Sequence, residues 1–198
     1  MQALKLFSQY DPEALSLKAR KDVYDHVGQW PEEYLSSEQI GFHIGALQER
    51  DRLSLPDMDF TNGREVLVER IYPLSVYQPG LKPDVKVRVN VLIYKYAFKG
   101  RMYLLGCRPP VAVPKPVGQW FTDTVNQEIS IEYPEYEKYP KKTIVAHQRY
   151  ALTLQPCYES LKQEIAKFNV ALDGMIQDAV RQRQKDIDDL KRMLARLK

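Results

Sequence analysis

No stretch of this chain stays apolar for the roughly 18 residues that a membrane-spanning helix needs. The opening stretch MQALKLFSQYDPEAL has neither the basic start nor the continuous apolar run of a secretory signal. Cysteine is scarce: Cys107 and Cys157 lie far apart and lack CxxC spacing, which excludes a redox motif and a thiolate metal knuckle. Together these absences lead us to expect a cytoplasmic protein with reduced thiols and no membrane partner. The histidines His26, His43 and His147 are scattered without HxH or HxxxH spacing, so no metal or other cofactor is expected. P-loop, GxGxxG, GxSxG and HExxH patterns are also missing, which favours binding or assembly over catalysis.

Charge is present but unevenly spread. The net charge is +3, yet the segment from Arg181 onward carries +4, leaving −1 for everything before it. The body of the protein is therefore no basic nucleic-acid binder. Any electrostatic hold on nucleic acid falls to the tail, through Arg181, Arg183, Lys185, Lys191 and Arg192.

Hydrophobic periodicity divides the 198 residues into three parts. In the first, about 1–63, an Asp-Pro start predicts a helix from Pro12 to Val27, stopped by Gly28 and Pro31. A weaker helix follows over SSEQIGFHIGALQERDRL, with Ser36 or Ser37 as cap, and then the turn-rich loop LPDMDFTNG. The second part, 64–155, changes to period 2. REVLVERIYP reads as a strand bent or edged at Pro73. In DVKVRVNVLIYKYAF, Val85, Val87, Val89, Val91 and Ile93 share one face, while the other turns apolar only through Leu92, Tyr94, Tyr96 and Phe98. Lys99–Gly100 is placed as a turn into RMYLLGC, making a hairpin. A proline-rich loop leads to a strand around Ile129–Tyr133, and TIVAHQRYALTLQP is expected as the last strand, with His147 on the sheet surface.

The third part, 156–198, reads as one long amphipathic helix. Its apolar positions run Leu161, Ile165, Phe168, Leu172, Ile176, Val180, Ile187, Leu190, Leu194 and Leu197, close to 3.6 residues per turn. Some forty such residues extend about 60 Å, more than a domain of this size is wide, so the helix must leave its domain or break near Gly174. It also carries no stop signal, as if this were the front module of something longer. The face formed by Phe168, Leu172, Ile176, Val180, Ile187, Leu190 and Leu194 is expected to self-associate or dock on another protein. Burying seven such side chains supplies on the order of 10 kcal/mol before entropy is counted.

Two motifs compete with that reading. DMDFTNG is excluded as a calcium loop, because Asn62 and Gly63 come one residue late and Val68 stands where a bidentate glutamate is needed. PD at 56–57 with DVK at 84–86 forms the skeleton of a metal-dependent nuclease, in which Asp57 and Asp84 hold Mg²⁺ and Lys86 steadies water or phosphate. The Tyr94, Tyr96 and Phe98 stripe beside Lys86 and Arg88 also has the chemistry to stack bases.

FKGRMYLLGCRPP, VNQEISIEY and the helix EIAKFNVALDGMIQDAVRQRQKDIDDLKRML resemble the N-terminal region of a group of bacterial multidomain proteins. In those, a β-rich domain with an F-x-G-x-x-x-L…RP segment, here ending in Arg108–Pro109, precedes a helix of the form FN…L…A…R…L. A restriction-endonuclease-like or TIR-type effector lies beyond, and such proteins look like anti-phage immune effectors. Over Tyr94 to Lys198 the resemblance implies a regulatory region that senses and assembles, with an effector of nuclease or TIR type as partner. It carries over no catalytic residue. The expected architecture is α+β: a short helical N-terminal part, a mostly antiparallel β-domain and a long C-terminal helix.

Overall fold

A computed structural model describes residues 2–73 and 86–197. The fold is α+β, with a five-stranded antiparallel sheet and a long C-terminal helix. The chain forms two compact units that cut across the sequence divisions. The first contains Met1–Gln9 and Leu55–Leu161, the second Tyr10–Ser54 and Lys162–Lys198.

In the first unit the strands β1 (Gln2–Ala3), β2 (Arg64–Pro73), β3 (Lys86–Ala97), β4 (Gln119–Asp123) and β5 (Glu128–Tyr133) lie in the order β1-β4-β5-β3-β2. β2 sits at an edge, where the proline that ends it removes no ladder bond from a central strand. The two-sided pattern of β3 is realised. Val89, Val91 and Ile93 are buried on one face with Val68 and Val87 against them, and Tyr94, Tyr96 and Phe98 are buried on the other. The expected hairpin with RMYLLGC does not form. β3 pairs with β2 and β5, and Tyr103–Gly106 is a single 3-10 turn whose Leu104 and Leu105 fill the core. Gly100 lies at φ +119°, and a Cβ there would come 3.3 Å from the Pro56 Cα, so the position requires glycine.

The largest correction concerns TIVAHQRYALTLQP. It is helical, not a strand: the last helix runs unbroken from Pro140 to Arg196. Pro156 lies inside it, and Gly174 does not interrupt it. Proline has no N–H to give the carbonyl four residues back, a cost that the surrounding burial offsets. His147, Tyr150, Ala151, Leu154, Cys157, Tyr158 and Leu161 are all buried, at the three-and-four spacing of one helix face.

In the second unit, α1 (Pro12–Gly28) starts as its sequence dictates, with Asp11 accepting a hydrogen bond from the Glu13 N–H at 3.0 Å and Pro12 in the first turn. α2 (Ile40–Asp51) starts later than the serines suggested and has no side-chain cap. The final helix, α3 (Pro140–Arg196), lends this unit its stretch from Lys162. Leu172, Ile176, Ala179 and Val180 are buried with Val23, Val27, Trp30 and Leu47, and Phe168 packs at the margin. Polar side chains fix the register. Asn169 accepts from the Leu53 N–H at 2.9 Å and donates to the Leu53 carbonyl at 2.8 Å, and Gln48 donates to Asp173 at 2.9 Å.

Each unit holds one of the two tryptophans, Trp30 and Trp120. In a Trp120→Phe background, Trp30 fluorescence reports the second unit alone. Leu172→Ala is expected to lower its urea stability by about 3 kcal/mol, the cost of a cavity at a fully buried leucine.

Candidate functional site

The nuclease skeleton does not assemble. The Asp57 backbone bridges Lys99, just past the far end of β3, while Lys86 is the first residue of that strand. At about 3.3 Å per residue, Lys86 and Lys99 stand roughly 40 Å apart, too far for Asp57 and Lys86 to share one metal ion. Asp84 lies outside the described residues. Among the described residues, no group of three metal-ligating side chains comes together. The aromatic stripe is equally unavailable for base stacking, since Tyr94, Tyr96 and Phe98 are buried in the core.

Those tyrosines instead surround His147, which sequence reasoning placed on the sheet surface. The α3 helix presents His147 to the sheet, where its Nε2 lies 2.8 Å from the Tyr96 hydroxyl and its Nδ1 2.8 Å from the Tyr133 hydroxyl. Tyr94 stacks on the imidazole with ring centroids 3.4 Å apart and donates its own hydroxyl to Glu65 at 2.9 Å. Trp120 donates to Tyr150 at 3.2 Å alongside. A neutral imidazole has one N–H and one bare nitrogen, so one tyrosine donates to His147 and the other accepts from it. Burial lowers the His147 pKa to about 4 and raises those of Tyr96 and Tyr133. His147, Tyr96 and Tyr133 are thus neutral at physiological pH, enclosed and bonded: a structural network rather than a poised acid or base.

The predicted interface face divides in two. Leu172, Ile176 and Val180 are buried inside the second unit and Phe168 is half-buried against the same core, so these four serve the fold itself. Ile187 is half-buried beside Leu35, where a groove of roughly 570 Å³ opens, rimmed by Glu32, Glu33 and Asp188. Beyond it Leu190, Met193, Leu194 and Leu197 are 52%, 57%, 50% and 77% exposed, grouped on one side of the helix.

The basic residues of the same segment are largely engaged within the unit. Arg183 donates two bonds to the Trp30 carbonyl at 3.0 and 2.9 Å, and Lys191 pairs with Glu32. Arg181 pairs with Asp178 at 2.9 Å and Arg192 with Asp189 at 3.6 Å, while Lys185 is exposed. Arg183 interrupts the apolar series because it binds the Trp30 carbonyl just past the end of α1, and its neighbours carry acid partners that weaken any claim on phosphate. What this segment offers chemically is an apolar stripe with charged flanks.

The His147 network has a pH signature. Its folded pKa lies below the ordinary 6.5, so the unfolded chain binds the proton more readily and stability rises with pH through this window. The contribution, about 3 kcal/mol, is complete above pH 6.5 and is lost as the pH falls to about 4. Urea titrations between pH 4 and 7 should show this slope, and His147→Gln should remove that share of it. At pH 7, Tyr96→Phe is expected to cost about 1–3 kcal/mol by leaving a buried ring nitrogen unpaired.

No family model, curated protein or solved structure matches this chain.

Proposed function

We propose that the chain is a non-enzymatic sensing and assembly module that acts through protein–protein contacts made by the last turns of α3. One observation carries this reading: four large apolar side chains, Leu190, Met193, Leu194 and Leu197, stand exposed together at the end of a helix on which the other exposed apolar residues, Val145, Leu152 and Val170, stand singly and the face from Leu161 to Val180 is packed inside the protein. Water-exposed apolar stripes rimmed by charge mark sites of protein association. The sensing role falls to the first unit, where the edge strand β2 exposes Leu67 and Ile71 beside its outer ladder. The resemblance over Tyr94 to Lys198 sets this role in a bacterial anti-phage system, with the effector or a further copy as the bound protein.

A photo-crosslinking residue at Met193, introduced into the full chain in its native cells, tests the reading. The expected result is a discrete protein adduct identified by mass spectrometry, absent when the probe is moved to exposed Leu17 on α1. Deleting 188–198 should abolish docking yet leave thermal unfolding within a few degrees of the intact chain, because the buried core of the second unit ends at Val180. Absence of any adduct from Met193 overturns the proposal.

A further inference from the structure

The identity of the bound protein follows from the flanks of the stripe. At 100° per residue, Leu190, Met193, Leu194 and Leu197 span about a third of the helix circumference. Asp189 and Arg196 border it on the same side, two turns apart. Of this pair the acidic residue comes first along the helix and the basic one last. A second helix of the same sequence laid parallel turns this flank toward the opposite flank of its partner, so Asp189 and Arg196 of the two copies do not meet. Laid antiparallel about a two-fold axis near Arg192, it brings Asp189 of each copy beside Arg196 of the other, twice over.

The same register pairs apolar positions. With the axis at residue 192, Leu190 faces Leu194 of the other copy and Ile187 faces its Leu197. Leu197 then reaches the mouth of the groove floored by Ile187 and Leu35, whose rim carries Glu32, Glu33 and Asp188. The charged groups needed are accessible. Asp189 makes an exposed 3.6 Å pair with Arg192, a surface contact that exchanges at little cost.

We infer that α3 ends in a self-recognition element: two copies of this chain join as an antiparallel two-fold pair of helix ends through Leu190, Met193, Leu194 and Leu197, with Asp189 and Arg196 setting the direction. This rests on the docking role proposed above and names its partner. Three helical turns per copy bury less than the roughly 1,200 Å² of a standard stable interface. The pair is therefore weak and reversible, and its occupancy rises with local concentration, as when copies are gathered by another component.

The test uses the full chain at concentrations up to about 200 µM, by sedimentation equilibrium and by cysteine crosslinking, with the native Cys107 and Cys157 buried. Met193→Cys lies next to the axis and should form a disulfide-linked dimer. Leu197→Cys stands about 15 Å from its own copy in this arrangement and should not. Asp189→Arg and Arg196→Asp should each weaken association at least fivefold, and the double variant should recover it. Crosslinking through Leu197 but not Met193, or a double variant no better than the singles, overturns the antiparallel assignment. A monomer throughout the range overturns the second copy as partner. If Met193 still yields an adduct with a different protein in cells, the docking role stands without it; if it yields none, both fall.

Discussion

One long helix supplies buried residues to each of two cores that are otherwise unrelated in sequence. In the first unit α3 contributes His147, Tyr150, Leu154 and Leu161 to a sheet that has β-branched and aromatic residues but, among the described residues, no other long helix to cover it. In the second it contributes Leu172, Ile176 and Val180 to two short helices that bury little of their own. α1 offers only Val23 and Val27 as buried residues, and α2 only Leu47. Helices of that length are marginal alone in water, so packing against α3 rather than intrinsic propensity sustains them.

The sequence was most legible where one rule acted without competition. The start of α1 follows from Asp11 and Pro12, and the two faces of β3 follow from strict alternation that turns apolar on both sides at Leu92. It misled where rules conflicted. Thr143, Ile144 and Val145 are β-branched and Pro156 breaks most helices, so the stretch between them resembled a strand. Its helical period was carried partly by His147, Ala151 and Cys157, residues that a hydrophobic count passes over. Burial against the sheet decided the outcome, a tertiary effect that no local window contains.

The functional surface was half legible for a related reason. The ten-position apolar series on the last helix was read as one docking face, but the cover for Phe168, Leu172, Ile176 and Val180 comes from residues of the first 50, far away in sequence. Trp30 and Val27 gave no hint that they would meet Ile176 and Val180. His147 was misplaced on the sheet surface because a lone histidine has no motif; its two tyrosine partners come from different strands, and the pairing of β3 with β5 brings them to one ring. Asp57 and Lys86 show the opposite error, a motif in sequence that the length of β3 pulls apart.

The edge strand β2 bears on how this protein avoids unwanted company. From Arg64 to Arg70 it reads Arg-Glu-Val-Leu-Val-Glu-Arg, the same in both directions. A second copy laid antiparallel about Leu67 would set arginine against arginine and glutamate against glutamate, the arrangement that disfavours strand pairing. No charge on the strand is left to compensate: Arg64 holds Glu128, Arg70 holds Glu132, Glu69 holds Arg88, and Glu65 accepts from Tyr94. In that register a ten-residue edge, the ordinary seed of sheet-to-sheet aggregation, is set against its own kind by a palindrome of charges.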